Sequence, residues 1–250
     1  MMRHVHSSGF VSIDHLAEQH NVSPQTIRRD VNFLTEAGEI RRVRGGVDIP
    51  VQSKNLLYAH RSALNLGAKQ RIAQLVAEHI EDGVSLAVSI GTTPELVVAA
   101  LKDKSELSIF TNNLNVAMLA CQHPDWSVTL PGGAVRLSDC DILGPQVEDF
   151  FARYCVDYGI FGVGGVAPDG SLLDFTEEEV QCRAAIQANC NAAYLALDHS
   201  KFGRRAHVRG GDIAALDKVF CDALPPAAIS DVLAKSNTPI FTPQESLSHV

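Results

Sequence analysis

Apolar positions along this chain change their period once. Near the start they recur at helical spacing: Ile13, Leu16 and Ala17 in SIDHLAEQH, then Ile27, Val31 and Leu34 in SPQTIRRDVNFL. Each set lines one face of a helix. Ser12 and Ser23 stand where N-caps belong, and Pro24 occupies a first helical position, where its missing N–H is no loss. The pattern is helix, tight Asn21-Val22 turn, helix. IRRVRGGVDI follows, with two short β-branched stretches about Gly45-Gly46 that predict a hairpin. A stretch of mixed composition over 51–68 reads as a linker, and a helix is predicted over 69–80.

From there continuous apolar runs alternate with helical ones. Strands are predicted at 84–90, 107–111, 127–130, 156–166, 192–197 and 218–221, with helices at 94–101, 115–122, 177–189 and 226–234. Apolar strands separated by helices predict a largely parallel sheet covered on both faces. The expected fold class is therefore α/β: a winged helix-turn-helix over 1–50, a linker over 51–68, and an α/β domain over 69–250.

Charge sharpens this division. The net formal charge is −8, but residues 1–54 carry seven Lys/Arg against six Asp/Glu, and the remainder fourteen against twenty-three. DNA binding depends on local neutralisation of phosphates rather than on total charge, so a DNA-binding head on an acidic body is allowed. The six cysteines show no CxxC and no His/Cys ligand spacing, which predicts reduced thiols and neither disulfides nor zinc. No run of 18 apolar residues occurs and the first residues lack a secretory apolar region, so no membrane partner is expected and the cytoplasm is the expected location.

Candidate chemistry falls at two places. On the second helix Gln25, Thr26, Arg28 and Arg29 lie opposite the apolar stripe, beside Ser23; helix-turn-helix proteins place this end of the helix against base edges. Arg41, Arg42 and Arg44 on the hairpin suit phosphate contacts. In the α/β part, ligands collect at the carboxyl ends of strands. Ser89-Ile90-Gly91-Thr92-Thr93 combines a glycine turn, hydroxyls and the start of a helix, a composition suited to cradling an anion. Thr111-Asn112-Asn113, Gly132-Gly133, Gly162–Gly165 and Asp198–Lys201 follow other strands. Candidate effector contacts are thus Ser89, Gly91, Thr92, Thr93, Asn112, Gly133, Gly165, Glu179 and Lys201. Neither a Walker lysine pattern nor GxGxxG follows the first strand, which argues against a nucleoside triphosphate or NAD and for a small phosphorylated metabolite, with no cofactor. Asp157, Glu177, Glu178, Glu179 and Lys201 offer groups for proton transfer. The plainer reading is that the three glutamates load a helix N-terminus and that Glu179 pairs with Arg183 four residues on. Binding is favoured over catalysis; a sugar-phosphate isomerase or deaminase with a vestigial head is the alternative.

The order SPQTIRRD, RGG, SIGTTP, TNN, LPGG, GVGG and DHSKFG resembles the DeoR family of transcriptional repressors over nearly the whole chain, from about residue 9 to 240. IGTTPE, TNNLNVA, DGSLLDF and DHSKFGR resemble the members that respond to glycerol 3-phosphate. The resemblance implies a sensor domain similar to ribose-5-phosphate isomerase, operator DNA as one partner, and a phosphorylated polyol or sugar that releases it. It also implies a homodimer or homotetramer on a pseudo-palindromic operator. Carried onto this chain, Gly91, Thr92 and Thr93 form the phosphate loop, with Asn112 and Lys201 as further contacts. Three departures stand out. Ser89 replaces an acidic residue, Glu178 replaces a histidine, and only eight residues precede Gly9, so the head's first helix is expected to be truncated.

Overall fold

A computed structural model describes residues 11–36, 40–43, 45–48, 55–56 and 58–243. The chain divides into two compact units, residues 1–56 and 57–250.

The first unit is built as its pattern predicts. Ile13–His20 forms a helix whose N-cap Ser12 accepts from the His15 amide, and Asn21 closes it in the left-handed conformation at φ 52°. Pro24–Glu36 is the second helix. Its start is held by Ser23, whose hydroxyl accepts from the Thr26 amide at 3.2 Å. Arg41–Val43 and Gly46–Asp48 pair antiparallel, with Gly45 turning the chain at φ 86°. Val11–Ser12 adds a third strand against Gly46–Asp48. Leu16, Ile27, Val31, Ile40 and Val47 bury their side chains in one small core. Each such side chain contributes about 1.5–3 kcal/mol relative to exposure. Arg44 and residues 1–10, which carry the expectation of a truncated first helix, lie outside the described residues.

The second unit begins inside the stretch expected to be linker: Tyr58–Ala63 is helical, and Leu66–Ala77 follows as a second helix after a left-handed Asn65. A seven-stranded sheet runs in the order Ile240–Phe241, Lys218–Phe220, Cys190–Ala196, Val156–Phe161, Ser85–Val88, Ser108–Thr111, Ser127–Thr129. Every pairing in it is parallel. Alternate residues of the strands enter two separate cores. Leu86, Val88, Ile160, Tyr194 and Ala196 pack against Ile72, Val76, Val97, Val98 and Val116 from one set of helices. Ala87, Phe161, Ala193 and Leu195 pack against Val147, Phe150, Cys182, Ile186 and Ile229 from the other. Both sheet faces are thereby covered, and the βα turns of the parallel strands all open at one edge. A small antiparallel sheet of Gly165–Val166, Ser171–Asp174 and Val208–Asp212, absent from the pattern-based expectation, lies beyond the strand ends in sequence. Among the described residues no helix is long and apolar enough to cross a membrane.

Candidate functional site

In the first unit the second helix turns Ile27 and Val31 into the core and leaves Gln25, Thr26, Arg28 and Arg29 exposed. These four form the polar surface at the helix's amino end. Ser23 serves chiefly as the cap, its hydroxyl also bonded to that of Thr26 at 2.9 Å. Arg42 reaches from the hairpin to the helix, where its Nη1 donates to Asn32 Oδ1 at 2.9 Å. The guanidinium is thus oriented by the helix while retaining further donors for phosphate. Asn32 carried no signal in the sequence as a group that positions the wing.

In the second unit the Gly91–Thr93 turn opens the helix Thr92–Ala100, with Gly91 at φ 115°, a conformation that a β-carbon disfavours. Thr92 and Thr93 are buried. The orphan amides of a helix's first turn favour an anion. Against this turn lies a residue that the pattern treated as the start of an amphipathic helix. Lys69 is only 3% exposed, and its Nζ donates to Thr92 Oγ1 at 3.1 Å and to the Arg61 carbonyl. Burial lowers its pKa, Arg61 and Arg204 add to the effect, and Asp198 opposes it.

The turn after Cys190–Ala196 supplies the rest of this cluster. Asp198, buried, accepts from Asn65 Nδ2 at 2.9 Å and from the Ser200 amide at 3.1 Å. Burial would raise its carboxyl, but Lys201, Ser200 and Asn65 outweigh that and hold it below the ordinary range. Lys201 is partly buried; desolvation and the charge of Arg204 bring its pKa down to about 7. Arg204 is lowered to about 10, first by burial and then by Arg61. Its Nη1 donates to the Gly164 carbonyl at 3.1 Å, and its guanidinium carbon sits 5.0 Å from the Phe175 ring centre. Gly165, a sequence candidate for ligand contact, serves this residue: a β-carbon there would stand 2.2 Å from the Arg204 carbonyl oxygen. Four cations, Lys69, Lys201, Arg204 and Arg61, therefore share one region with Asp198, and their mutual repulsion adds to burial in lowering Lys69, Lys201 and Arg204.

A second cluster adjoins it. Arg136 donates to both oxygens of Asp141, at 2.8 Å each, and to Glu179 Oε1 at 3.1 Å. Asp139 links the clusters, lying 3.6 Å from Arg136 and paired with Arg61. Gly133, at φ 139°, turns the chain just before Arg136. The expected Glu179–Arg183 pair does not form: Glu179 takes Arg136 and the Phe175 amide, while Arg183 takes the buried Asp174 at 2.8 Å. Helix spacing brought the two within reach, but each found a partner on a neighbouring strand or loop. Glu178 is exposed. Asp157 accepts from Ser85 at the strands' amino ends, the opposite edge, so the candidate proton-transfer groups are not assembled. Ser89 and Asn112 meet over Cys182: Asn112 Nδ2 donates to the Ile142 carbonyl at 2.7 Å and approaches Cys182 Sγ at 3.3 Å. Asn112 Oδ1 is buried with no hydrogen-bond partner. All six cysteines are free thiols. No group of three or more His, Cys, Asp or Glu among the described residues is placed to hold a metal ion.

A helix-turn-helix with a basic wing, joined to a parallel α/β unit carrying a cationic cluster at its strand ends, defines a DNA-binding regulator with a sensor domain. Residues 1–53 match the family model of the DeoR-like helix-turn-helix domain, and residues 64–223 that of the DeoR C terminal sensor domain. The chain belongs to the DeoR family. It is 44% identical over 229 residues to the glycerol-3-phosphate regulon repressor of Escherichia coli K12, covering 92% of this chain and 91% of that protein. The glycerol-3-phosphate regulon repressor of Haemophilus influenzae is 40% identical, over 90% and 88% of the two chains. Among solved structures, ribose 5-phosphate isomerase A of Methanocaldococcus jannaschii matches 55% of each chain at 17% identity with a TM-score of 0.40, too distant a likeness to carry any chemistry across.

Proposed function

We propose that this chain is a transcriptional repressor whose hold on operator DNA is relieved by a phosphorylated polyol or sugar, glycerol 3-phosphate first among them. The observation that supports an anionic effector most strongly is the buried Lys69, held on Thr92 at the start of the Thr92–Ala100 helix and on the Arg61 carbonyl, with Lys201 and Arg204 as further cationic neighbours. Burial and neighbouring positive charge make Lys69, Lys201 and Arg204 costly as cations, and a phosphate dianion offsets both at once. Gly91, Thr92 and Thr93 supply amides and hydroxyls to the same group. The unpartnered Asn112 Oδ1 suits a hydroxyl donor on the rest of the ligand. The names of the two close relatives point to glycerol 3-phosphate for the ligand.

On the DNA side, Gln25, Thr26, Arg28 and Arg29 read the major groove, and Arg42 with Arg44 contact phosphates. A homodimer or homotetramer on a two-fold operator fits that mode. Turnover is disfavoured because Glu179 is committed to Arg136 and Asp157 faces the other edge. Calorimetry and thermal shift with glycerol 3-phosphate, glycerol and a panel of sugar phosphates test the reading. Binding by the phosphate ester and not by glycerol is expected. Catalytic consumption of ribose 5-phosphate or glucosamine 6-phosphate, abolished by Lys201→Ala, would replace this reading with the enzymatic one.

A further inference from the structure

The segment Tyr58–Asn65 is tied to the sensor unit in an unusual way. Its helix, Tyr58–Ala63, buries no residue. Six residues cannot sustain a helix alone, so side-chain contacts must hold it. Three polar side-chain ties lead from this segment to the effector site proposed above or to the cluster beside it. Tyr58 Oη donates to Glu95, in the first turn of the Thr92–Ala100 helix. Arg61 pairs with Asp139, and the Arg61 carbonyl accepts from the buried Lys69. Asn65 Nδ2 donates to Asp198 at 2.9 Å, next to Lys201. This strap is also the point where the chain enters the sensor unit, directly after the unit that carries the helix-turn-helix ends at Leu56.

We propose that effector binding fastens this strap, and that Tyr58, Arg61 and Asn65 report occupancy to the DNA-binding unit rather than simply supporting the fold. The inference rests on the effector reading above and adds the coupling route. Lys69 has three ammonium hydrogens; two are committed to Thr92 Oγ1 and the Arg61 carbonyl, and the third is available to a phosphate oxygen. A bound anion favours the charged ammonium, which strengthens its hold on the Arg61 carbonyl. The same anion offsets the positive field that Asp198 answers at Lys201 and Lys69, leaving Asp198 to Asn65 and Ser200. A short helix with no fully buried residue, held by a few part-buried polar ties, opens more readily than the packed helices around it, so a change in those ties shifts its population.

Hydrogen exchange of the full chain, with and without saturating glycerol 3-phosphate, gives the first readout: amides of 58–66 should gain at least about tenfold protection, one unit of RT ln 10. The second readout is Asn65→Gly, which removes the tie to Asp198 while keeping the left-handed backbone that position adopts. Its affinity for glycerol 3-phosphate should stay within about threefold of wild type, while effector-driven release of DNA weakens at least about tenfold. Tyr58→Phe, a smaller change, should act in the same direction and guards against misfolding of the first variant. Unchanged exchange of the strap on binding, or wild-type release in both variants, would overturn the strap proposal alone. No calorimetric signal with the wild-type chain would overturn the effector reading and this inference with it.

Discussion

Replacing Lys69 by methionine separates effector binding from folding. The ammonium is buried at 3% exposure and makes two hydrogen bonds, to Thr92 Oγ1 at 3.1 Å and to the Arg61 carbonyl. Losing them costs about 1 kcal/mol each. Relief of the desolvation and repulsion that the buried ammonium suffers among Arg61 and Arg204 works the other way when an apolar side chain of like length takes its place. The two terms offset, so stability should stay within about 1 kcal/mol of wild type, or roughly 2–4 °C in Tm for a unit of this size. Binding behaves differently, because nothing replaces the lost charge opposite a phosphate. A charge-assisted hydrogen bond contributes about 1.5–3 kcal/mol, so the Kd for glycerol 3-phosphate should rise about 10- to 150-fold. Scanning calorimetry and titration calorimetry on the same preparation measure both quantities. A Kd within about threefold of wild type would refute the reasoning, as would destabilisation by more than about 3 kcal/mol, the mark of a buried structural pair.

Three further outcomes follow from the same geometry. Gly165→Ala places a β-carbon 2.2 Å from the Arg204 carbonyl oxygen and 3.0 Å from its carbon, backbone atoms that must move; a loss of about 1–3 kcal/mol in unfolding free energy with weaker effector binding is expected, and unchanged values of both would contradict the packing role. Lys201 titrates near 7 in the free protein, and a bound phosphate raises that value. Affinity should therefore fall as pH climbs above 7, with proton uptake seen as buffer-dependent heat at pH 8; the phosphate's own ionisation near 6 is nearly complete by then, so this window isolates the lysine. Lys201→Met should abolish that heat, and its absence from the wild-type chain would exclude Lys201 as the ligand's partner. On the DNA side, Arg29→Ala should reduce the slope of log K against log salt by about 0.9 if the guanidinium meets a phosphate, or relax sequence preference by about 1–3 kcal/mol if it meets a base; no change in either removes Arg29 from the interface.

What the sequence carried was what periodicity and turn chemistry encode. Ile27 and Val31 point inward, Ser23 caps, Gly45 turns the wing, and the alternating apolar runs form one parallel sheet whose turns meet at one edge. Lys69 was illegible because a lysine opening an amphipathic helix has the same local pattern whether it faces water or a pocket; only the packing of Leu66–Ala77 over the Thr92 turn decides. Arg61 lay in a stretch of mixed composition that offered no helical stripe, since its helix is held by polar ties. Arg204 follows the DHSKFG segment and is placed by the glycine at 165, some forty residues earlier, a contact no local spacing reveals. Glu179 and Arg183 show the converse: the spacing was right for a pair, but Arg136 and Asp174 offered each a better-placed partner.

The central claim is that one molecule binds DNA through the Pro24–Glu36 helix and lets go when the pocket at the sheet edge fills. Fluorescence anisotropy with the DNA upstream of this chain's own gene, at fixed salt, measures that directly. Tight binding that glycerol 3-phosphate weakens at least about tenfold, and glycerol does not, is the expected result. A Kd for that DNA no tighter than for unrelated sequence, or one that glycerol 3-phosphate leaves unmoved at concentrations that saturate the sensor, would contradict it.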